Sequence, residues 1–145
     1  MESYTVGSYD FYLGYGAKKG KIVTLDTGHF HLTESIADKI SSMLLFTPEI
    51  MLHVSRPIRW DSDHVVTLND DLQDLAREII RCDALDRVHI RLDYFDATIN
   101  RIGAYVIGCR ATQKAFIQAL LEPSALLNSY EENGQYFERL ALQEE

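Results

Sequence analysis

Acidic and imidazole side chains follow the short apolar runs of this 145-residue chain. Carboxylates and imidazoles that converge in one cleft repel or desolvate one another unless they are protonated or bound to a cation. A ligand set rich in oxygen, with some nitrogen and no thiolate, suits Mn²⁺, Mg²⁺ or Co²⁺, and Zn²⁺ is possible. The residue types therefore predict a divalent-metal site if the fold brings them together. The candidate ligands are Asp26, His29, His53, Asp61, Asp63 and Asp93.

Three strands separated by helices must position these side chains. The apolar runs at 22–25, 50–54 and 88–92 are of strand length and too short for ordinary helices. Because strands alternate with helices, we expect βα units and a parallel sheet. Ligands of such sheets gather at the carboxyl ends of the strands, where the candidate residues lie. Helical segments are predicted at 8–18, 36–44, 69–80, 98–121, 125–130 and 135–142.

Two of these helices give specific expectations. Asn69 is predicted to cap a helix whose apolar residues recur at the i, i+3, i+4, i+7, i+8 spacing. The segment at 98–121 is predicted to begin after a cap by Asp96, and Gly103 and Gly108 argue against an unbroken helix. Its predicted buried side comprises Ile99, Ile102, Val106, Cys109, Phe116, Ile117 and Leu120.

The chain length leaves two architectures open. Three strands do not close a barrel, and a complete (β/α)8 barrel takes roughly 200–250 residues. The 145 residues therefore form a small open α/β domain or a piece of a larger one.

Composition excludes several classes of protein. The formal net charge is −8, which makes a nucleic-acid partner implausible, since phosphate contacts need a basic face. No apolar run approaches the roughly 18–20 residues that span a bilayer, and the first residues lack the pattern of a signal peptide. Cys82 and Cys109 form no disulfide framework, so we expect reduced thiols in the core of a cytoplasmic protein without a membrane partner.

Each candidate residue could also have an ordinary structural role instead of binding a metal. An Asp that follows a strand is often a turn or cap residue. His31 is predicted to be a partly buried, hydrogen-bonded core histidine, and His64 and His89 are predicted to be structural. Six acidic and imidazole residues at the same sheet edge nevertheless favour metal binding.

Four longer stretches contain the candidate ligands and are distinctive in sequence. They are Leu-Asp-Thr-Gly-His-Phe-His at 25–31, Leu-His-Val-Ser-Arg-Pro at 52–57, Arg-Trp-Asp-Ser-Asp-His-Val at 59–65 and Leu-Asp-Tyr-Phe-Asp-Ala-Thr-Ile-Asn-Arg at 92–101. These stretches closely resemble the L-rhamnose isomerase family. The likeness covers nearly the whole chain and includes the segments at 119–123 and 137–142.

The resemblance implies a fold and an activity. Residues 1–145 are expected to be a single segment of a xylose-isomerase-like TIM barrel. This incomplete (β/α)8 barrel would have about three βα units followed by C-terminal helices. The implied enzyme is a metal-dependent aldose–ketose isomerase, an intramolecular oxidoreductase of rhamnose metabolism. It converts L-rhamnose to L-rhamnulose as a homotetramer with Mn²⁺ or a similar cation.

The family's ligand pattern also implies roles for the six candidates. In the family, one metal lies close to the reacting sugar carbons and is held by a His and an Asp-x-Asp pair. In this chain the pattern matches His29, Asp61 and Asp63, which are therefore the implied catalytic residues. A second, more structural metal is held by Glu, Asp, His and Asp. Three of these four ligands match Asp26, His53 and Asp93.

The chain departs from the family pattern in several places. The family's metal-binding Glu and a nearby active-site Lys lie on an earlier strand without a counterpart here. We therefore expect an internal third or so of the enzyme, truncated at both ends and inactive alone. Arg91 stands where the family usually has Gly, inside a barrel strand, and Leu32 replaces the usual Pro after His-Phe-His.

Two alternative functions stay open. A catalytically inert, metal-binding barrel fragment would expose two sheet edges and the apolar faces that its missing neighbours would cover. An amidohydrolase-type metal hydrolase would use a His-x-His pair after its first strand, as at His29 and His31. That enzyme needs further histidines at later strand ends, where only His53 is well placed, and it does not use the Asp61-x-Asp63 pair.

Overall fold

The structure is a computed structural model that describes residues 7–58, 63–96 and 98–144. Within these ranges three parallel strands form one sheet in the order β1-β2-β3. The predicted alternation of strands and helices is confirmed, and the fold is mixed α/β. In chain order the elements are α1 (Tyr9–Lys19), β1 (Val23–Asp26), α2 (Ala37–Met43), β2 (Ile50–Val54), α3 (Asp70–Arg81), β3 (Val88–Leu92), α4 (Arg101–Leu121), α5 (Ser124–Glu132) and α6 (Tyr136–Glu144).

The strand register separates an apolar face of the sheet from a polar one. Asp26 pairs with His53, and His53 pairs with Arg91, so these three residues form one row across the strands. Side chains alternate between the two faces of a strand, and the neighbouring row is apolar. The buried residues of the apolar face are Val23, Leu25, Ile50, Leu52, Val54 and Val88. The polar face therefore displays candidate ligands while the opposite face forms the core.

Helices α2 and α3 complete this core. Ile40 and Met43 of α2 are almost fully buried, in the same cluster as the apolar row of the sheet. The predicted cap of α3 is confirmed, since the Asn69 side chain accepts a hydrogen bond from the Leu72 amide at 3.2 Å. Its predicted stripe is buried at Leu72, Leu75, Ala76 and Ile79. The apolar spacing predicts the buried residues of α3 correctly because this helix is strongly amphipathic.

Helix α4 differs from its prediction at both the start and the buried side. The cap is Asn100, whose side chain accepts from the Gly103 amide at 2.9 Å, so the prediction of Asp96 as the cap is wrong. Asp96 instead accepts hydrogen bonds from the amide and hydroxyl of Thr98. The two glycines do not interrupt the helix. Its buried residues are all small: Ala104, Gly108, Ala111, Ala115 and Ala119.

The predicted apolar side of α4 is largely exposed. Ile102 is 76% exposed, Cys109 is exposed rather than part of the core, and Phe116 is only partly buried. The cause is the close packing of α4 against α3 and against the buried Tyr94, for which small side chains leave room. A Cβ on Gly108 would collide with the Tyr94 phenol. Cys82, at the end of α3, is half-buried.

Tyr94 links the end of β3 to α4. Its hydroxyl donates a hydrogen bond to the Ala104 carbonyl at 3.0 Å, and burial raises the pKa of this phenol to about 12. Because Tyr94 directly follows Asp93, this bond also anchors the backbone next to a candidate ligand.

Glu122, directly after α4, joins the end of that helix to α3. Arg81 donates to both of its carboxylate oxygens, at 2.8 and 2.6 Å, and Arg77 lies 3.6 Å away. The Glu122 side chain is only 9% exposed. Burial opposes ionisation of this carboxyl, but the hydrogen bonds and charge of Arg81, with Ser124 and Arg77, outweigh it and lower the pKa of Glu122.

Replacing Glu122 with Gln is expected to lower the free energy of unfolding by about 1–2 kcal/mol at pH 7, because hydrogen bonds to a charged group are lost. The folded pKa is lowered, so this stabilisation is complete above the unfolded value of about 4.3 and disappears as the pH falls through the folded value. Urea denaturation from pH 7 to pH 3 measures the effect. The control is Glu131→Gln, because the Glu131 side chain is 59% exposed where it pairs with the partly buried Arg139. Equal losses in the two variants, or a difference independent of pH, would contradict the prediction.

Candidate metal centre

The carboxyl edge of the sheet brings five of the six predicted ligands together. Asp26 ends β1 and His53 lies beside it in register on β2. Asp93 follows β3, and its amide extends the ladder by donating to the Val54 carbonyl at 3.1 Å. His29 and Asp63 lie in loops beside this edge. Asp61 falls in the segment 59–62, outside the described residues.

The five residues form two groups that share Asp26. In one group, His53 Nδ1 lies 3.1 Å from Asp93 Oδ2 and 3.4 Å from Asp26 Oδ2. In the other, Asp26 and Asp63 meet His29, whose Nε2 lies 3.8 Å from Asp26 Oδ2. Within each group the potential ligand atoms all lie within 4.8 Å of one another. The geometry therefore suits two neighbouring cations, with one carboxylate between them.

The electrostatics of Asp26 favour a bound cation. Burial raises the pKa of this carboxyl, and the negative charge of Asp63 raises it further. The Gly28 amide, which donates to Asp26 Oδ1 at 3.0 Å, and the nearby His29 and His53 only partly oppose this rise. A divalent cation would supply the missing positive charge. Three carboxylates and two imidazoles are donors that suit Mn²⁺ and similar ions.

Asp63 is placed by loop contacts rather than by a strand. The Phe95 amide donates to its carbonyl oxygen at 3.1 Å, and the Ser55 hydroxyl donates to its Oδ1 at 2.9 Å. The sequence prediction did not include Ser55 or its neighbours Thr27 and Gly28. Their position directly after β2 and β1 was the available signal, but hydroxyl residues and glycine are common at such places.

The other three histidines lie outside both groups. His31 is exposed, with Nδ1 2.7 Å from the Thr33 hydroxyl, so its prediction as a partly buried core residue is wrong. His89 pairs with the exposed Glu49 at 2.6 Å, and His64 lies 3.8 Å from Asp96. The two residues that depart from the family pattern, Arg91 and Leu32, are both exposed.

The fold and the site define an α/β protein with a candidate divalent-metal centre at the carboxyl edge of a parallel sheet. In the described ranges, no helix combines the length and apolar character that crossing a membrane demands. The family model described as L-rhamnose isomerase (RhaA) matches residues 1–145. The chain belongs to the L-rhamnose isomerase family, which confirms the resemblance found in the four sequence stretches.

Curated relatives agree with this assignment. The chain is 69% identical over 145 residues to an L-rhamnose isomerase of Bacteroides thetaiotaomicron. This match covers 100% of the chain and 35% of the relative. It is 61% identical over 144 residues to that of Enterobacter sp. strain 638, and 60% identical over 144 residues to that of Escherichia coli O127:H6. These matches cover 99% of the chain and 34% of each relative. The chain thus spans about a third of the length of the curated relatives that it matches.

Proposed function

We propose that this chain supplies most of the metal centre of an enzyme that isomerises L-rhamnose to L-rhamnulose. The observation that carries the proposal is the pair of ligand groups sharing Asp26 at the carboxyl edge of the sheet. Membership of the L-rhamnose isomerase family supplies the substrate and the type of reaction. Mn²⁺ is the proposed cation, with Co²⁺, Mg²⁺ or Zn²⁺ as alternatives of suitable chemistry.

The proposed architecture of the whole enzyme is a xylose-isomerase-like (β/α)8 barrel, of which residues 1–145 form one incomplete segment. An open sheet of three parallel strands, with helices on one face and polar residues on the other, is compatible with such a segment. The polar row of Asp26, His53 and Arg91 would then face the barrel interior. A homotetramer in the cytoplasm is proposed on the family resemblance.

The ligands divide between two cations in the proposed site. His29 and Asp63, with Asp61, would hold the one nearer the reacting carbons, while Asp26, His53 and Asp93 would hold the second. A bound divalent cation supplies stabilisation of the charge that develops on the sugar oxygens.

Aldose–ketose isomerisation moves a hydrogen between C1 and C2 and a proton between O1 and O2. The protein must orient the opened sugar for both transfers, and its fixed ligands serve that purpose. Asp61 is the proposed group that holds or receives the oxygen-bound proton. Asp63 is the proposed ligand that holds the cation at the same site.

The 145 residues alone are proposed to be inactive, which keeps the inert fragment as the second candidate. Large apolar side chains of α4 to α6 remain exposed, among them Leu121 and Phe137, as expected where neighbouring parts of a larger protein are missing. The hydrolase alternative is disfavoured, because His31 bonds to Thr33 and belongs to neither ligand group.

A chimera tests the proposed function. In it, this chain replaces the matched segment of the Bacteroides thetaiotaomicron isomerase, with which it shares 69% identity over 145 residues. We expect Mn²⁺-dependent formation of ketose from L-rhamnose by the chimera and none by the chain alone. A folded, Mn²⁺-loaded chimera without turnover would overturn the proposal.

Asp61→Asn in the same chimera is expected to lower kcat by about 10²–10⁴ without loss of fold, because the proton-transfer group is gone. The control is Asp86→Asn, which removes the same charge from an exposed loop position. Ketose formation and thermal unfolding are measured for both variants. Wild-type turnover of Asp61→Asn would show that its assigned role is wrong.

A further inference from the structure

We propose that Ser55 is a positioning residue that holds the Asp63 carboxylate in place for the cation, in a frame completed by Thr27 and Gly28. The assignment rests on the proposed metal-dependent function. Ser55 is 7% exposed, and its Oγ lies 2.9 Å from Asp63 Oδ1. An ionised carboxylate only accepts hydrogen bonds, so the Ser55 hydroxyl must donate. This bond uses one acceptor position of Oδ1 and leaves the other positions of the carboxylate for a cation.

The hydrogen bonds of Thr27 hold the Ser55 backbone and leave Ser55 as the hydroxyl that donates. Thr27 Oγ1 donates to the Ser55 carbonyl at 2.9 Å and accepts from the Ser55 amide at 2.8 Å. A hydroxyl has one proton, and that of Thr27 is used on the Ser55 carbonyl. Across the 3.3 Å contact between the two hydroxyl oxygens, only Ser55 could therefore donate. The Asp63 carboxylate is the better acceptor for the Ser55 proton, because it is charged and lies closer, at 2.9 Å.

The backbone around this pair is also fixed. The Thr27 amide donates to the His53 carbonyl at 3.0 Å, which ties the end of β1 to β2. Thr27 and Gly28 are both buried. A Cβ on Gly28 would collide with Asp63 Oδ1 and would lie 2.9 Å from Ser55 Oγ. The Asp63 carboxylate thus lies between the Ser55 hydroxyl, which donates to it, and the Gly28 backbone, where a larger residue would not fit.

This arrangement resembles the general way in which outer residues orient metal ligands. Asp63 lies in a loop and lacks the ladder of hydrogen bonds that fixes His53 within β2. Its side-chain orientation therefore depends on the bond from Ser55. The consequence is that Ser55 contributes to cation affinity without touching the cation.

The test measures Mn²⁺ affinity by isothermal titration in the chimera. Ser55→Ala is expected to weaken binding at the Asp63 site by about 10–100-fold. Thr27→Val keeps the side-chain shape but removes both bonds to the Ser55 backbone, and we expect a smaller loss in the same direction. The matched control is Thr47→Val. Thr47 is 3% exposed and donates to the Met43 carbonyl at 3.1 Å, at the far end of α2. It should lose stability but keep Mn²⁺ affinity.

A double-variant cycle separates positioning from a merely structural effect. If Ser55 acts through Asp63, adding Ser55→Ala to Asp63→Asn causes little further loss of Mn²⁺ affinity. Wild-type affinity in Ser55→Ala, or fully additive losses in the cycle, would overturn the assignment. If Ser55→Ala does not fold, unchanged affinity in Thr27→Val overturns it instead. A folded wild-type chimera that binds no Mn²⁺ overturns the proposed function itself, and the assignment with it.

Discussion

Gly28→Ala is expected to lower Mn²⁺ affinity at the Asp63 site by about 100-fold or more, the upper end of the effects known for residues around a metal. The reason is steric. The added methyl group would occupy the space of Asp63 Oδ1 and press on the Ser55 hydroxyl, both of which lie against the Gly28 backbone. The carboxylate would have to move, and a loop residue moved from its ligand position binds poorly. Turnover of L-rhamnose in the chimera should fall with the affinity.

Isothermal titration with Mn²⁺ and the ketose assay measure this effect. The control is Gly14→Ala, because a Cβ at this position in α1 meets nothing within 4 Å. Alanine is also favoured over glycine inside a helix by about 1 kcal/mol, so this control should be neutral or stabilising. If Gly28→Ala binds Mn²⁺ as tightly as Gly14→Ala, the close contact between Gly28 and Asp63 does not position the ligand.

Asp26→Asn is expected to remove both proposed cations at once, because Asp26 is the candidate ligand that the two groups share. The bound Mn²⁺ should fall from two ions per chain to none at concentrations that saturate the wild type, and turnover should be lost. The stabilisation that Mn²⁺ gives the wild type, about 2.7 kcal/mol at 100 times the Kd, should vanish as well. The asparagine oxygen can still accept from the Gly28 amide, so the loop is retained.

The same substitution should not destabilise the cation-free protein. Burial and the charge of Asp63 raise the pKa of Asp26, so ionisation of this carboxyl disfavours the folded state. For a raised carboxyl pKa, the stability of the cation-free protein falls as the pH rises through the window between the unfolded and folded values. Asp26→Asn removes this fall. Thermal unfolding with EDTA and with Mn²⁺ measures both effects, and Asp86→Asn is the control. Two bound Mn²⁺ ions in Asp26→Asn would contradict the shared role.

The core elements could be predicted because their patterns are strong and local. The strand runs at 50–54 and 88–92 match β2 and β3, and the stripe of α3 is buried as its spacing indicates. Helix α4 shows the limit of this method. Periodicity selects large apolar residues such as Ile102, whereas the structure buries alanines and Gly108 because Tyr94 and α3 approach closely.

The residue types of the candidate site could be predicted from the sequence, but the contacts between these residues could not. Asp and His at strand ends pointed to a cation, and five of these six residues do meet at one edge. The sharing of Asp26 between two groups depends on the register with His53 and on distances that no spacing reveals. The role proposed for Ser55 likewise depends on a single 2.9 Å contact.

The amino-acid sequence by itself determined the alternation of strands and helices, the residue types of the candidate ligands and the family of the chain. These properties depend on residue types and on local periodicity. Only the tertiary structure decided which face of α4 is buried, that Asp26 serves both groups and that Gly28 and Ser55 enclose the Asp63 carboxylate. The physical reason is that close packing and hydrogen bonding join residues distant in the chain, and their distances are set by how strands and helices pack together.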